Sequence, residues 1–273
     1  MRVRRISSLY RSIVPWNPAT GWALSTSCSV FVSASFAHGV TAGFRGAVAV
    51  FLAWAITREL APKRGIASML APFAGVAFAI PGDTDLLACV GVLLAARVAS
   101  RSIGDPPTPI DRIALVPIAG WLATRPVGLP VALILAAVVF VQDHDRRLRF
   151  TGALMLVAAL AVGSTEGTLT ARGGWEDPAL AAQALMALAA GCAIVLLAWP
   201  LPRLLRTRDD RRRGPLHGAR IRVARVVTIA AVAAAVVWVG TSGVFELSSA
   251  SAAIVAAALG GAGARAARTP DTD

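Results

Sequence analysis

The sequence predicts an all-α, polytopic transmembrane helix bundle of about ten segments, with both termini in the cytoplasm. Three observations carry that expectation. Of the 273 residues 56% are apolar and 15% charged, for a mean hydropathy of +0.66, whereas an ordinary soluble domain carries about 25% charged residues. The apolar residues are gathered into runs bounded by charge, Gly and Pro. The 27 basic residues, all Arg except Lys63, outnumber the 15 acids for a formal charge of +12 and cluster between the runs.

Ten runs are read, at 22–38, 40–57, 65–80, 84–99, 112–124, 127–141, 150–163, 178–200, 224–240 and 244–262. In a bilayer the backbone must satisfy its own polar groups, so such runs become helices. None has the period-two polarity of a barrel strand. A crossing wants about 20 residues, which 178–200 and 244–262 meet and 112–124 does not. The pair 112–124 and 127–141 therefore has a re-entrant hairpin as its alternative reading. The first run, with Ser25, Thr26, Ser27, Ser29, Ser33 and Ser35 behind a basic start, has a signal sequence cut after Ala37 as its alternative. The expected domains are a basic cytoplasmic N-terminus at 1–21, a membrane domain at 22–262 interrupted by a basic loop at 201–223, and a cytoplasmic tail at 263–273.

Charge sets the direction. Threading ten crossings from a cytoplasmic N-terminus puts every basic residue inside except Arg45, Arg125 and Arg172. It puts Asp83, Asp85, Glu166, Glu176, Asp177 and Glu246 outside. That is the positive-inside pattern. Tryptophans agree, with Trp54 and Trp199 near expected inner ends and Trp121 and Trp238 near outer ones, at headgroup level.

An internal echo appears at an offset of 45. Ala71-Pro72-Phe73-Ala74-Gly75 followed by Pro81 matches Val116-Pro117-Ile118-Ala119-Gly120 followed by Pro126. Two copies of a helical hairpin, 65–99 and 112–141, are the expectation, and repeats of this kind underlie transporter folds. Abundant Gly and Ala let helix backbones approach closely.

Few residues offer chemistry. Ionisable groups within a bilayer are costly and become functional candidates. Arg45 follows His38 by seven residues, a spacing that shares a helix face. Glu246 falls in the first turn of the last run, where the helix dipole favours an acid. With Asp83 and Asp85 these form the candidate polar group on the outer side. On the inner side Arg97, Arg101, Asp105, Asp111 and Arg112 flank a proline-stiffened loop, a candidate site for a phosphate or headgroup. A rigid connector with snorkelling arginines explains them without a ligand and is the favoured reading. Arg203, Arg206, Arg211, Arg212 and Arg213 are candidates for anionic-lipid contact.

Other chemistry is not supported. Cys28, Cys89 and Cys192 lie far apart within apolar runs, which gives neither a disulfide framework nor a zinc motif. Asp143-His144-Asp145 places a ligand type between two carboxylates, but neighbouring arginines oppose a cation, so no metal is expected. No metalloprotease, hydrolase, phosphate-loop or dinucleotide motif occurs, and no cofactor is expected. The basic loop lacks the interleaved aromatics that single-stranded nucleic acid needs.

The functional expectation is an integral inner-membrane protein located in the plasma membrane, more a transporter-like bundle than an enzyme. The alternatives are a non-catalytic subunit or assembly factor of a membrane complex, and a membrane-embedded enzyme acting on a lipid-linked phosphate. The expected partners are the lipid bilayer, its anionic headgroups and another membrane protein.

Overall fold

The computed structural model describes residues 18–62, 65–79, 84–101, 107–141, 146–166, 204–208, 215–240 and 242–266. The described apolar runs all become helices: α1 (Pro18–His38), α2 (Val40–Leu60), α3 (Gly65–Ala79), α4 (Leu86–Ser100), α5 (Pro109–Ala123), α6 (Gly128–Val141) and α7 (Arg146–Thr165). A short antiparallel pair follows, β1 (Leu204–Arg208) with β2 (Pro215–His217), in which Leu204 faces His217 and Arg208 faces Pro215. The chain then runs through α8 (Gly218–Val239), α9 (Ser242–Glu246) and α10 (Ser248–Ala266).

Local chemistry sets several boundaries. Gly39, at φ +89°, separates α1 from α2, a backbone state that costs glycine little. Asp85 caps α4, its carboxylate accepting from the Ala88 N–H at 3.0 Å. Thr108 and Asp111 form a capping box ahead of Pro109 at the first turn of α5. Gly240, at φ +80°, directly follows the last residue of α8, its N–H donating to the Val236 carbonyl.

Packing runs through small residues. α2 lies against α1, α3 and α10, while α4 lies against α6 and α8, and α5 and α6 lie against α7. A Cβ at Gly75 would sit 3.1 Å from Val50 Cα, and one at Gly260 would sit 2.9 Å from Ala67 Cα, so backbones meet there with no side chain between them. The core that results is continuous and includes Ile56, Leu60, Leu115, Leu122, Leu129, Leu135 and Ile254. Large apolar side chains also remain at the surface, among them Phe36, Ile113, Val141 and Phe150.

This architecture corrects the ten-segment transmembrane bundle. Among the described residues only α2 and α8 are long and apolar enough to cross a membrane, by length and composition alone. Half or slightly more of each apolar stretch is buried inside the molecule, as in the core helix of any packed helical domain. The apolar stretches in α3, α4, α6, α7 and α10 are shorter, at 10–17 residues. A 15-residue helix rises about 22 Å, well below the roughly 30 Å of bilayer hydrocarbon. The run at 178–200 lies outside the described residues. The described residues form a packed helical domain with one short β pair.

The charge count fails for a physical reason. It treats every Arg between runs or near a run's end as solvated, yet two near run ends that it assigns to the inner side have gone into the protein. Arg225 is 2% exposed and donates from Nε to the Leu60 carbonyl at 2.9 Å. Arg97 pairs with the buried Glu59 at 3.4 Å. Trp54, expected at a headgroup boundary, is in the core with the Arg58 guanidinium 5.0 Å from its ring centroid.

With the crossings go the readings built on them. The plasma-membrane location, the bilayer, its anionic headgroups and a membrane-protein partner lose their grounds, as do the transporter, the membrane-complex subunit and the lipid-phosphate enzyme. Arg206 lies in β1, which pairs with β2 ahead of α8. The duplicated hairpin also fails: α5 packs on its sequence neighbour α6, whereas α3 makes its contacts with α1, α2 and α10.

Candidate functional site

The first residues of α4 build one end of the molecule. Asp85 is 8% exposed and uses both carboxylate oxygens, one on the Ala88 N–H and one on Arg125 Nη1 at 3.3 Å. Its backbone N–H donates to the Glu246 carbonyl at 3.0 Å, and the Thr84 and Ser248 hydroxyls meet at 2.8 Å. These contacts tie the start of α4 to the α9–α10 junction.

Around them lies a cleft of about 730 Å³. Leu86, Leu87 and Val90 of α4 form an apolar wall, with Trp121 of α5 and Phe245 of α9 beside it. Its polar rim comprises Arg45 of α2, Thr84, Asp85, Arg125 of the α5–α6 turn, Ser242 and Glu246. Volume and lining match those of small-molecule sites, which run to about 300–1,000 Å³ with a few polar groups set in apolar walls.

Cys89 lies one turn beyond Asp85, its thiol donating to the Glu246 carbonyl at 3.7 Å. Burial pushes the thiol up from 9.0 to about 11; the negative charge of Asp85 adds to that, while hydrogen bonds with Ser249 and Ala250 oppose it. The thiol therefore stays protonated at neutral pH, with no nucleophilic character.

Three of the five residues singled out as the outer polar group, Arg45, Asp85 and Glu246, thus line one cleft. Asp83 lies outside the described residues. His38 does not share a helix with Arg45: it is the exposed last residue of α1, and Gly39 intervenes. Glu246 is the last residue of α9 rather than part of the first turn of one long helix, because the expected run 244–262 is broken at Leu247. Arg125 was legible only as an outer-side charge; its pairing with Asp85 depends on the α5–α6 turn reaching the start of α4, which no local pattern announces.

The described members of the inner group take local structural roles. Arg97 turns to Glu59, and Ser100 donates to the other Glu59 oxygen at 3.0 Å. Asp111 serves the capping box, and Arg112 donates to the Pro107 carbonyl at 3.1 Å. Arg101 ends α4 in the left-handed conformation at φ 45°. These are structural uses of the side chains. Asp105, Arg203, Arg211, Arg212, Arg213 and the Asp143-His144-Asp145 stretch lie outside the described residues. No group of three His, Cys, Asp or Glu placed to hold a metal occurs among the described residues.

The chain matches no protein-family model, no curated protein and no solved structure. Function therefore rests on the geometry of the cleft.

Proposed function

We propose that this chain is a helical ligand-binding domain whose ligand is a small organic molecule held in the cleft between α2, α4, α5 and α9. One observation carries the reading: Arg45, Asp85, Arg125 and Glu246, from four separate parts of the chain, come together on the rim of a single apolar-walled cavity. Of these, the nearly buried Asp85 is held by Arg125, whose half-exposed guanidinium stays at the cleft. The Cys89 thiol, one turn beyond Asp85, is buried and held protonated, so it supplies no thiolate to the cleft.

Hydrogen exchange across residues 84–90 and 242–248 tests the reading, measured with a panel of small carboxylates, amines, zwitterions and neutral aromatics. At least one class is expected to slow exchange in both stretches and to lose that effect in Trp121→Ala. If no class slows either stretch, the cleft is not a binding site.

A further inference from the structure

We infer that the ligand of this cleft is a zwitterion with an aromatic body, of the chemical class of an aromatic amino acid, and that Arg125 clamps its carboxylate. The inference rests on the binding reading above and names its ligand.

Sign comes first. The rim presents guanidinium and carboxylate together, so a ligand of one charge would meet one repulsive group for each attractive one. A zwitterion satisfies both signs at once. Each charge can then be assigned to a residue. A guanidinium carries five N–H donors in a fork that matches a carboxylate. Arg125 spends Nη1 on Asp85 at 3.3 Å, longer than a tight charge-assisted bond of about 2.7–2.9 Å, and its side chain is 51% exposed. The rest of the fork has no other recorded side-chain partner among the described residues, so it can take a second carboxylate in bidentate fashion.

Asp85 is not the receptor for the ligand's ammonium. It is almost wholly buried, and both its oxygens are engaged. Glu246 is more open, and a carboxylate offers about four lone-pair sites, enough to accept an ammonium beside any contact already made. The body of the ligand follows from the wall. Trp121, 59% exposed, and Phe245 line the same cleft as Arg125 and Glu246. Two aromatic rings are thus available to a guest, and offset or edge-to-face contacts favour an aromatic ligand.

Calorimetric titration of the full chain with L-phenylalanine, phenylacetate and phenethylamine is the test. Phenylalanine is expected to bind about tenfold or more tightly than either probe lacking one charge, the effect of one lost charge-assisted hydrogen bond. In Arg125→Gln its affinity should fall to that of phenethylamine, whose own binding should not change. In Glu246→Gln it should fall to that of phenylacetate. Arg125→Lys keeps the charge without the fork and should give an intermediate value. Circular dichroism of each variant checks that the helices are intact. Equal binding of all three probes by the native chain overturns the inference, as does an equal loss for all three in a folded Arg125→Gln. If none of the three binds while another class in the exchange panel protects the cleft, this inference falls and the binding reading stands. If nothing protects the cleft, both fall.

Discussion

Each end of α4 carries a carboxylate–guanidinium pair of nearly the same length, and the two ends behave differently. At the C-terminal end Arg97 meets Glu59 at 3.4 Å, with side chains 19% and 1% exposed. At the N-terminal end Arg125 meets Asp85 at 3.3 Å, with side chains 51% and 8% exposed. Distance does not separate them; burial of the cation does. Glu59 is enclosed, its oxygens shared between Arg97 and Ser100, and the pair joins α2 to α4 inside the core. At the other end the guanidinium faces a cleft and retains donors for a guest. One pair closes the structure, and the other leaves it open to a ligand.

The largest effect should come from the closed end. Glu59→Ala removes the buried carboxylate from Arg97 and leaves a cation in a poorly solvated place, at a cost of about 3 kcal/mol. Urea unfolding measures it. A loss below that of a surface substitution would show that water reaches the pair and that the two ends are alike.

Cys89, beneath the cleft, sharpens the contrast next. Its thiol is raised in the fold, so the native state keeps a proton that the unfolded chain releases. Stability from this site is whole below pH 9 and falls by about 1.4 kcal/mol per pH unit as pH rises towards about 11, where the folded thiol also ionises. Cys89→Ala should lose that part of the alkaline decline. Native and variant chains with parallel curves between pH 9 and 11 would mean that water reaches the Cys89 thiol.

Gly243 tests the wall that carries Phe245 and Glu246. A Cβ there would sit 2.8 Å from the Ala235 carbonyl carbon, and backbone cannot move aside as a side-chain tip can. Gly243→Ala should cost about 1–3 kcal/mol by overpacking and reduce ligand binding by displacing α9. Thermal unfolding read beside calorimetry separates the two losses.

The open end should give the smallest stability changes. Asp85→Ala loses a helix cap, about 1 kcal/mol. Arg125→Gln, half exposed and screened by solvent, should cost less than about 1 kcal/mol while abolishing carboxylate selectivity. A large stability loss in Arg125→Gln, comparable with that of Glu59→Ala, would make both ends structural.

The site was partly legible before the fold was known. Arg45, Asp85 and Glu246 were grouped because each falls near the start of an alternate apolar run, and helices that run in the same direction bring their starts to the same side. Glu59 carried no such mark. It lies between Arg58 and the Lys63-Arg64 pair, where an acid reads as part of a solvated charged loop. Its burial depends on α4 and α8 closing over the end of α2. Arg225 misled in the same way, since its carbonyl partner at Leu60 lies 165 residues earlier in the chain.

The sequence by itself determined the helices: apolar runs punctuated by Gly, Pro, Asp and Thr specify where a helix starts and stops, because caps, missing donors and left-handed turns act over only a few residues. Only the tertiary structure decided what surrounds those helices. An alanine-rich helix is equally apolar against a neighbour and against lipid, so hydropathy cannot tell which surface buries it. Whether an arginine is solvated, paired or left facing a cleft depends on distant chain segments, and that choice separates Arg97 and Arg225 from Arg125.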